Sequence, residues 1–480
     1  MIEKSSLSRF AQLLGAKGYT EDQTIIAPWL ADWRGHFHGH SLAMLSPADT
    51  NETAAVVKLA AQLHIPLVPQ GGNTSTVAGA TPPEDGSALI LSLRRMNRVR
   101  SVTADADIAV AEAGVILADL HDKVAQSGRR FPLTLGSKGS ATIGGLISTN
   151  AGGTQVLRFG TMRGLVMGIE AVLPNGEIHN GLAVLKKDNR GYDINQLLIG
   201  AEGTLGIVTA ASLKLVPAVA DRAVAWIGVR SPHDALRLLR TMEARSGTAI
   251  EGFEIVPRET LAAVLEHIPG TRAPLNGDHL WLVLIEYVES EPGHSASAAL
   301  ERVLAPTLES GLALDAVIAA NETQADAFWR LRDSISEAER ADGPAVQHDI
   351  SVPVDGMPDF MTSDAQRIEA AFPGVKAISF GHLGDGNVHF HVRAPHGVDG
   401  AKWRADDGDM ITRMVNDLVV AAGGSISAEH GIGQVKRQEL LRLSEPARIT
   451  TLRAIKAAFD PLGIMNPGKL VPLASDARPA

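Results

Sequence analysis

The run Phe380-Gly381-His382-Leu383-Gly384-Asp385-Gly386-Asn387-Val388-His389-Phe390-His391 constrains the fold more than any other stretch of the chain. Val388, Phe390 and Val392 alternate with Asn387, His389 and His391, which is the period of a strand and puts His389 and His391 on one face. Leu383-Gly384-Asp385-Gly386 has the composition of a tight reversal, returning His382 beside His389. The stretch therefore predicts an antiparallel hairpin within a sheet. It also predicts chemistry, because two neutral imidazoles meeting across a hairpin suit zinc or a similar ion. One histidine on a strand is ordinarily a satisfied core group. Three within ten residues around a glycine turn point to a metal instead.

At 480 residues the chain exceeds what one hydrophobic core serves, so two or three domains are expected. A formal charge of -10, with no run of Lys and Arg, argues against a nucleic-acid partner. The longest apolar stretch, 280–285, is strand-sized, so no membrane span is expected. Met1-Ile2-Glu3-Lys4 carries an acid and opens no continuous apolar segment, unlike a secretory signal. There is no cysteine, which excludes disulfides, thiolate zinc sites, Cys-ligated iron–sulfur clusters and Cys-linked cofactors. Redox chemistry here needs a bound organic cofactor or a His/carboxylate metal. These features together lead to the expectation of a cytoplasmic protein.

The first part of the chain is rich in glycine and short strand signals, at 65–69, 88–93 and 107–113, with a helix over 117–126. Residues 166–178 read as a hairpin turning at Asn175-Gly176, and a further strand opens at Leu205 and ends near Pro217. After Ala220 strands and helices alternate: strands over 224–229, 250–256 and 281–287, helices over 235–245, 296–308 and 323–340. That pattern predicts an α+β sheet domain with helices on one face, carrying the histidine run. From Glu429 the chain reads as mostly helical.

Two segments offer phosphate cradles. Pro69-Gln70-Gly71-Gly72-Asn73-Thr74-Ser75-Thr76 follows a strand, and its consecutive glycines let backbone amides turn inward beside hydroxyl donors. The second runs Leu135-Gly136-Ser137-Lys138-Gly139-Ser140-Ala141-Thr142-Ile143-Gly144-Gly145 and continues through Ser148-Thr149-Asn150-Ala151-Gly152-Gly153. Neither has the spacing of a Rossmann fingerprint or a Walker loop. Two donor-rich loops suit a pyrophosphate held from both sides; one alone would equally be a glycine-rich turn.

With these motifs stand Lys187-Asp188-Asn189-Arg190-Gly191-Tyr192-Asp193, Gly200-Ala201-Glu202-Gly203-Thr204-Leu205-Gly206-Ile207-Val208-Thr209, Ser427-Ala428-Glu429-His430-Gly431-Ile432-Gly433 and Asn466-Pro467-Gly468. In this order, across nearly the whole chain, they resemble the vanillyl-alcohol oxidase-type flavoproteins, and within them the FAD-dependent D-2-hydroxy-acid dehydrogenases acting on D-2-hydroxyglutarate or D-lactate. The resemblance implies a two-lobed FAD-binding domain over 1–219, an α/β cap domain for substrate and metal over 220–425, and a C-terminal helical segment over 426–480 that completes the active site. It implies that FAD touches Pro69, Gly71, Gly72, Asn73, Thr74, Ser75 and Gly79 in the first loop. Pro132, Gly136, Ser137, Gly139, Thr142, Gly144, Gly145, Ser148, Thr149, Asn150, Gly152 and Gly153 would hold more of it, with Glu202, Gly206, Ile207 and Asn466 completing the set. Some relatives link flavin through His or Cys; with Asn73 in the loop and no Cys, a non-covalent FAD is expected.

The resemblance further implies a metal, zinc first with manganese or iron as alternatives, held by His382, His389 and Glu429. Alone, Glu429 would read as a first-turn helix acid. His430 becomes the general base for the substrate hydroxyl, C2 gives hydride to flavin N5, and the product is a 2-oxo acid. Arg332 matches the carboxylate-binding arginine, with Arg330 as competitor and Ser336 expected on the same helix face. Gln347 stands where hydroxyglutarate enzymes usually carry lysine, and His391 where asparagine is usual. Both departures touch the substrate pocket, so a shift from dicarboxylates toward D-lactate, or a broader range including D-malate, follows as a hypothesis. Electrons would leave to an electron-transfer flavoprotein, a quinone or another carrier, from a homodimer. The rival readings are a flavoenzyme of this fold without net redox chemistry, a metal-dependent hydrolase with structural glycine loops, and a binding protein on an inactive fold.

Overall fold

The computed structural model describes residues 2–185, 187–473 and 476. The chain divides into two compact units, one from residues 1–153, 159–218 and 429–480, the other from 154–158 and 219–428.

In the first unit β1 (Tyr19–Thr20), β2 (Met44–Leu45), β3 (Leu67–Gln70) and β4 (Leu89–Ser92) form a sheet ordered β1-β2-β4-β3. The chain continues through β5 (Val99–Thr103), β6 (Ile108–Glu112), β7 (Arg129–Arg130), β8 (Val166–Val172), β9 (Ile178–Asn180), β10 (Ile207–Lys214) and β11 (Val216–Pro217). Five of these make an antiparallel sheet ordered β5-β6-β10-β8-β9, and β7 pairs with β11. The β8–β9 hairpin turns at Asn175-Gly176 as the sequence predicts, with Gly176 at φ +78°. The middle strand β10 is buried on both faces up to Leu213. The helix Ile143–Thr149 lays Ile143 and Ile147 on this core, and Gly144 fits close to Ala113: a Cβ there would lie 2.7 Å from the alanine methyl.

Residues beyond 428, expected as a separate segment, are built into this unit. Leu67 N–H donates to the Ile464 carbonyl at 2.8 Å. Lys456 Nζ donates to the carbonyls of Thr204 at 2.7 Å and Met465 at 2.8 Å. A segment too short for its own core finds its apolar burial on the first unit, where Ile464 and Met465 are buried.

The second unit holds a seven-stranded antiparallel sheet made by β12 (Asp221–Val229), β13 (Ile250–Pro257), β14 (Trp281–Glu289), β15 (Asp315–Ile318), β16 (Ala345–Ser351), β17 (Lys376–His382) and β18 (Asn387–Arg393). Their order is β15-β12-β14-β13-β17-β18-β16. Residues 387–393 form the predicted hairpin strand, with Phe380 opposite His389 and His382 opposite Asn387. The expectation of helices on one face is corrected. Gln347 pairs with His391 and His348 with Phe390, so the two sets face opposite ways. Glu339, on the helix Ile335–Asp342, meets His391, while Thr412, on the helix Gly400–Ala421, lies 3.3 Å from His348 Nε2. Both faces are covered, and in keeping with that every residue of β13 is buried.

Among the described residues no helix is long and apolar enough to cross a membrane.

Candidate active site

The hairpin β17–β18 is closed by the Gly-Asp-Gly turn. Asp385 Oδ1 accepts the Asn387 N–H at 3.0 Å, and Gly386 takes φ +81°. A Cβ at Gly386 would fall 2.1 Å from the Val352 carbonyl oxygen, so only glycine fits. The turn brings the His382 and His389 rings to 5.5 Å between centroids.

Behind His382 stands Glu254 of β13, opposite it in register. Its Oε1 lies 2.5 Å from His382 Nδ1, and its Oε2 accepts Arg332 Nε–H at 2.8 Å. The Glu254 side chain is 1% exposed. Arg332 reaches it from the helix Glu322–Asp333, which Asn321 caps through a bond from the Gln324 N–H at 3.0 Å. Ala325, Phe328 and Leu331 form the buried face, and Arg332, four residues after Phe328, projects with it toward the sheet. Arg332 Nη2 lies 3.4 Å from His382 Nε2 and 3.5 Å from His389 Nε2, so both ring nitrogens face one point. Asp349 Oδ1 accepts Asn387 Nδ2–H at 2.9 Å and sits 3.7 Å from His389 Nδ1. Each imidazole thus has a carboxylate on its Nδ1 side and Nε2 directed inward; at His382 that carboxylate is hydrogen-bonded, the arrangement that fixes tautomer and orientation in metal-binding histidines, while Asp349 lies beyond hydrogen-bond distance of His389.

The charges are strongly coupled. Burial alone would raise Glu254, but the charges of Arg332 and His382 outweigh it and hold the carboxyl well below the usual range. Burial alone would lower His382, yet Glu254 pushes it up to about 9. His389 moves the other way, lowered by burial and then by Arg332. A cation at Nε2 would take the place of the His382 proton while Nδ1–H stayed with Glu254, so this donor set fits a divalent ion.

Other substrate-pocket candidates divide. Arg330 points outward and donates to the Pro269 carbonyl at 2.9 Å. Ser336 is exposed: the helix read as continuous breaks at Ser334 (φ -81°, ψ -3°), which resets the face that followed Arg332. Gln347 is half-buried opposite His391, and His391 Nδ1 is bonded to Glu339. Glu429 and His430 belong to the first unit, directly after Ala428, whose N–H donates to the Asp349 carbonyl at 3.4 Å.

In the first unit the two glycine loops meet. A Cβ on Gly71 would lie 2.1 Å from Thr142 Oγ1, and one on Gly72 would lie 1.9 Å from the Ser140 carbonyl oxygen. The side-chain oxygens Asn73 Oδ1, Thr76 Oγ1 and Thr142 Oγ1 are buried and have no hydrogen-bond partner among the described residues. Gly136 and Gly139 face open space. Orphaned hydroxyls beside paired glycine turns fit a phosphate-bearing cofactor. Several expected flavin contacts have structural tasks as well. Ser75 Oγ accepts the N–H of Gly79 at 3.1 Å, and Asn150 Oδ1 accepts from Thr161 Oγ1 and Arg163 N, both at 2.9 Å. A Cβ on Gly153 would strike the Thr134 carbonyl oxygen at 2.2 Å. Asn466 Nδ2 donates to the carbonyls of Gly79 at 3.0 Å and Glu202 at 2.7 Å.

Glu202 itself commits both oxygens to backbone. Its carboxylate accepts Ile432 N–H at 2.7 Å and Gly433 N–H at 2.8 Å, gripping the turn that follows Glu429-His430. Burial raises its pKa against the pull of those two bonds.

Sequence reasoning missed Glu254, Glu339, Asp349 and the strap 154–158. In the strap Arg158 pairs with buried Glu251, and Leu157 fills the space beside Gly384, where a Cβ would lie 2.5 Å from its Cδ1. The signal for Glu254 was present: Glu251 and Glu254 are acids in the otherwise apolar strand 250–256, and a buried acid is costly unless partnered.

Comparison with known proteins agrees along the chain. Residues 41–181 match the FAD binding domain family, and residues 219–470 match the C-terminal domain of FAD linked oxidases. The chain is 34% identical over 471 residues to the mitochondrial D-2-hydroxyglutarate dehydrogenase of Arabidopsis thaliana, covering 98% of this chain and 82% of that protein. It is 35% identical over 472 residues to the Bos taurus mitochondrial D-2-hydroxyglutarate dehydrogenase, covering 98% and 84%. The fold is that of the vanillyl-alcohol oxidase-type flavoproteins: an alkyldihydroxyacetonephosphate synthase superposes with a TM-score of 0.73 at 16% identity, over 98% of this chain and 86% of the other. The expectation of a cytoplasmic protein is withdrawn, since the Arabidopsis and Bos relatives are mitochondrial enzymes.

Proposed function

The chain belongs to the FAD-linked D-2-hydroxy-acid dehydrogenases, and from that premise we propose that it oxidises a D-2-hydroxy acid to the 2-oxo acid with metal assistance. FAD supplies the hydride acceptor at N5, and a divalent ion, zinc first, supplies Lewis acidity at the substrate hydroxyl. His382, His389 and Glu429 would hold the ion. The observation that carries the reading is the convergence of His382 and His389 Nε2 with a carboxylate behind each ring.

Arg332 binds the substrate C1 carboxylate through its Nη atoms, its Nε being kept by Glu254. That grip fixes C2 and the C2–H direction, converting binding energy into orientation. His430 takes the hydroxyl proton as C2 gives up hydride, a transfer worth roughly 10²–10⁴-fold. Glu202, through the amides of Ile432 and Gly433, holds the turn that presents His430. The flavin is bound without a covalent link, and its electrons pass to an electron-transfer flavoprotein, a quinone or another carrier. The protein acts as a homodimer.

The test is anaerobic mixing of the flavin-loaded protein with D- and L-isomers of lactate, malate and 2-hydroxyglutarate. Bleaching of the flavin by D-isomers alone supports the reading. No bleaching by any of them removes it.

A further inference from the structure

One end of the second unit's sheet face carries a buried acid that the reaction does not use. His389 and His391 project from the same face of β18, two residues and so about 7 Å apart. That separation is about the span of a short substituent on C2 together with its hydrogen bond. Gln347 lies directly across from His391 on β16. From the covering helix Ile335–Asp342, Glu339 inserts at the position four residues after buried Ile335, and its Oε2 is bonded to His391 Nδ1. Glu339 is 3% exposed and His391 6%. The second carboxylate oxygen, Glu339 Oε1, is buried with no partner among the described residues. The edge of the Phe380 ring closes the other side of the imidazole, with centroids 5.4 Å apart.

The wall sets an acid, Glu339, against a base, His391, and leaves Glu339 Oε1 without a partner among the described residues, so it holds no cation that lacks a neighbouring acid. Gln347 adds a neutral amide that donates and accepts. The next cation along the same strand face, Arg393, is neutralised by Asp342 of the covering helix. The inward-facing cation at the other end, Arg332, already holds Glu254. A second substrate carboxylate would therefore lose its hydration beside Glu339 with no counter-charge from this wall among the described residues, whereas a hydroxyl or amide would find both a donor and an acceptor.

We propose that His391, oriented by Glu339, and Gln347 form a specificity wall that accepts an uncharged, hydrogen-bonding substituent on the D-2-hydroxy acid and rejects a second carboxylate. The inference rests on the D-2-hydroxy-acid reading above and narrows its substrate class to hydroxylated monocarboxylates such as D-glycerate or a four-carbon sugar acid. Glu339 acts as a positioning residue, since it reaches substrate only through His391.

Steady-state kcat/KM of the holoenzyme, with an artificial electron acceptor, is measured for D-glycerate, the four-carbon D-acid, D-malate and D-2-hydroxyglutarate. Hydroxylated monocarboxylates should exceed both dicarboxylates at least tenfold, the order expected for one unbalanced charge at this distance in a protein interior. Gln347→Lys should raise kcat/KM for the dicarboxylates at least tenfold, through KM rather than kcat. Glu339→Gln should move the same ratio the same way. A role confined to holding the helix would lower kcat/KM for all four acids alike. If Glu339→Gln does not fold, the half-buried Gln347→Lys still decides. A wild-type preference for the dicarboxylates, or a ratio unmoved by Gln347→Lys, overturns the inference and leaves the dehydrogenase reading intact. Failure of every D-acid to reduce the flavin overturns that reading, and this inference with it.

Discussion

Replacing Glu254 by glutamine keeps the side chain's shape and removes its charge. The carboxylate accepts at 2.5 Å from His382 Nδ1 and at 2.8 Å from Arg332 Nε, and its side chain is 1% exposed. An amide has one oxygen to offer; its NH2 must face either an imidazole N–H or a guanidinium N–H. Losing one charge-assisted hydrogen bond costs about 1.5–3 kcal/mol. Leaving a buried cation without its counter-ion costs about 3–5 kcal/mol, and because the two describe one loss they do not add. The expected destabilisation of the second unit is therefore about 3–5 kcal/mol, a large share of a typical domain's 5–15 kcal/mol. Urea unfolding of the metal-free protein followed by tryptophan fluorescence reads it, since Trp226, Trp281, Trp329 and Trp403 all lie in that unit. In the same variant zinc affinity, measured by competition with a chromophoric chelator, should fall about 10–100-fold because His382 loses its orienting partner. An unchanged midpoint together with unchanged zinc affinity would refute the reasoning, showing that Glu254 neither anchors Arg332 nor aims His382.

Glu202→Gln replaces one of two backbone-accepting oxygens by a donor facing an amide N–H, so kcat should fall at least tenfold with flavin still bound; an undisturbed kcat would show that the His430 turn holds without it. Arg158→Met takes a charge-assisted bond from buried Glu251 and should cost about 1.5–3 kcal/mol of second-unit stability, with Arg158→Met/Glu251→Gln recovering part of it; equal losses in the single and double variants would count against the strap. Burial alone would raise Glu112 and Glu170, but Arg98 and Arg100 outweigh it and lower both carboxyls. Their folded values lie below the unfolded value near 4.3, so the stability they give the first unit is full above about pH 4.3 and is lost as pH falls through the lowered folded values. Arg100→Leu should flatten that acid limb in denaturation midpoints taken from neutral to acid pH, and an acid limb of unchanged slope would contradict the assignment.

The histidine hairpin was legible because its information is local. Strict alternation fixes the face, and a Gly-Asp-Gly turn fixes the return, so His382 and His389 could be placed together from twelve residues of sequence. The glycine loops were legible for a similar reason, as runs without Cβ need close backbone approach, here between Gly72 and Ser140. Glu254 was not legible as the partner of His382, since 128 residues separate them and only the β13–β17 pairing joins them. The break at Ser334 escaped because the apolar period continues across it, with Leu331, Ile335 and Ala338 buried on either side. Helices on both sheet faces were missed because strands such as β13 are buried throughout without strict alternation, and such a run does not say how many faces are covered. Glu202 read as a flavin contact from its motif; its engagement with Ile432 and Gly433 depends on the chain returning after more than two hundred residues.

The central claim, that the metal bound by His382 and His389 serves oxidation of a D-2-hydroxy acid, is tested most directly on one flavin-loaded preparation. Its absorbance is followed anaerobically after addition of a D-2-hydroxy acid, before chelator treatment, after it, and after zinc is returned. The account predicts rapid bleaching, then loss of bleaching with the flavin still bound, then recovery, with His389→Ala giving the chelated behaviour throughout. Equally fast bleaching in the chelated protein and in His389→Ala would contradict it.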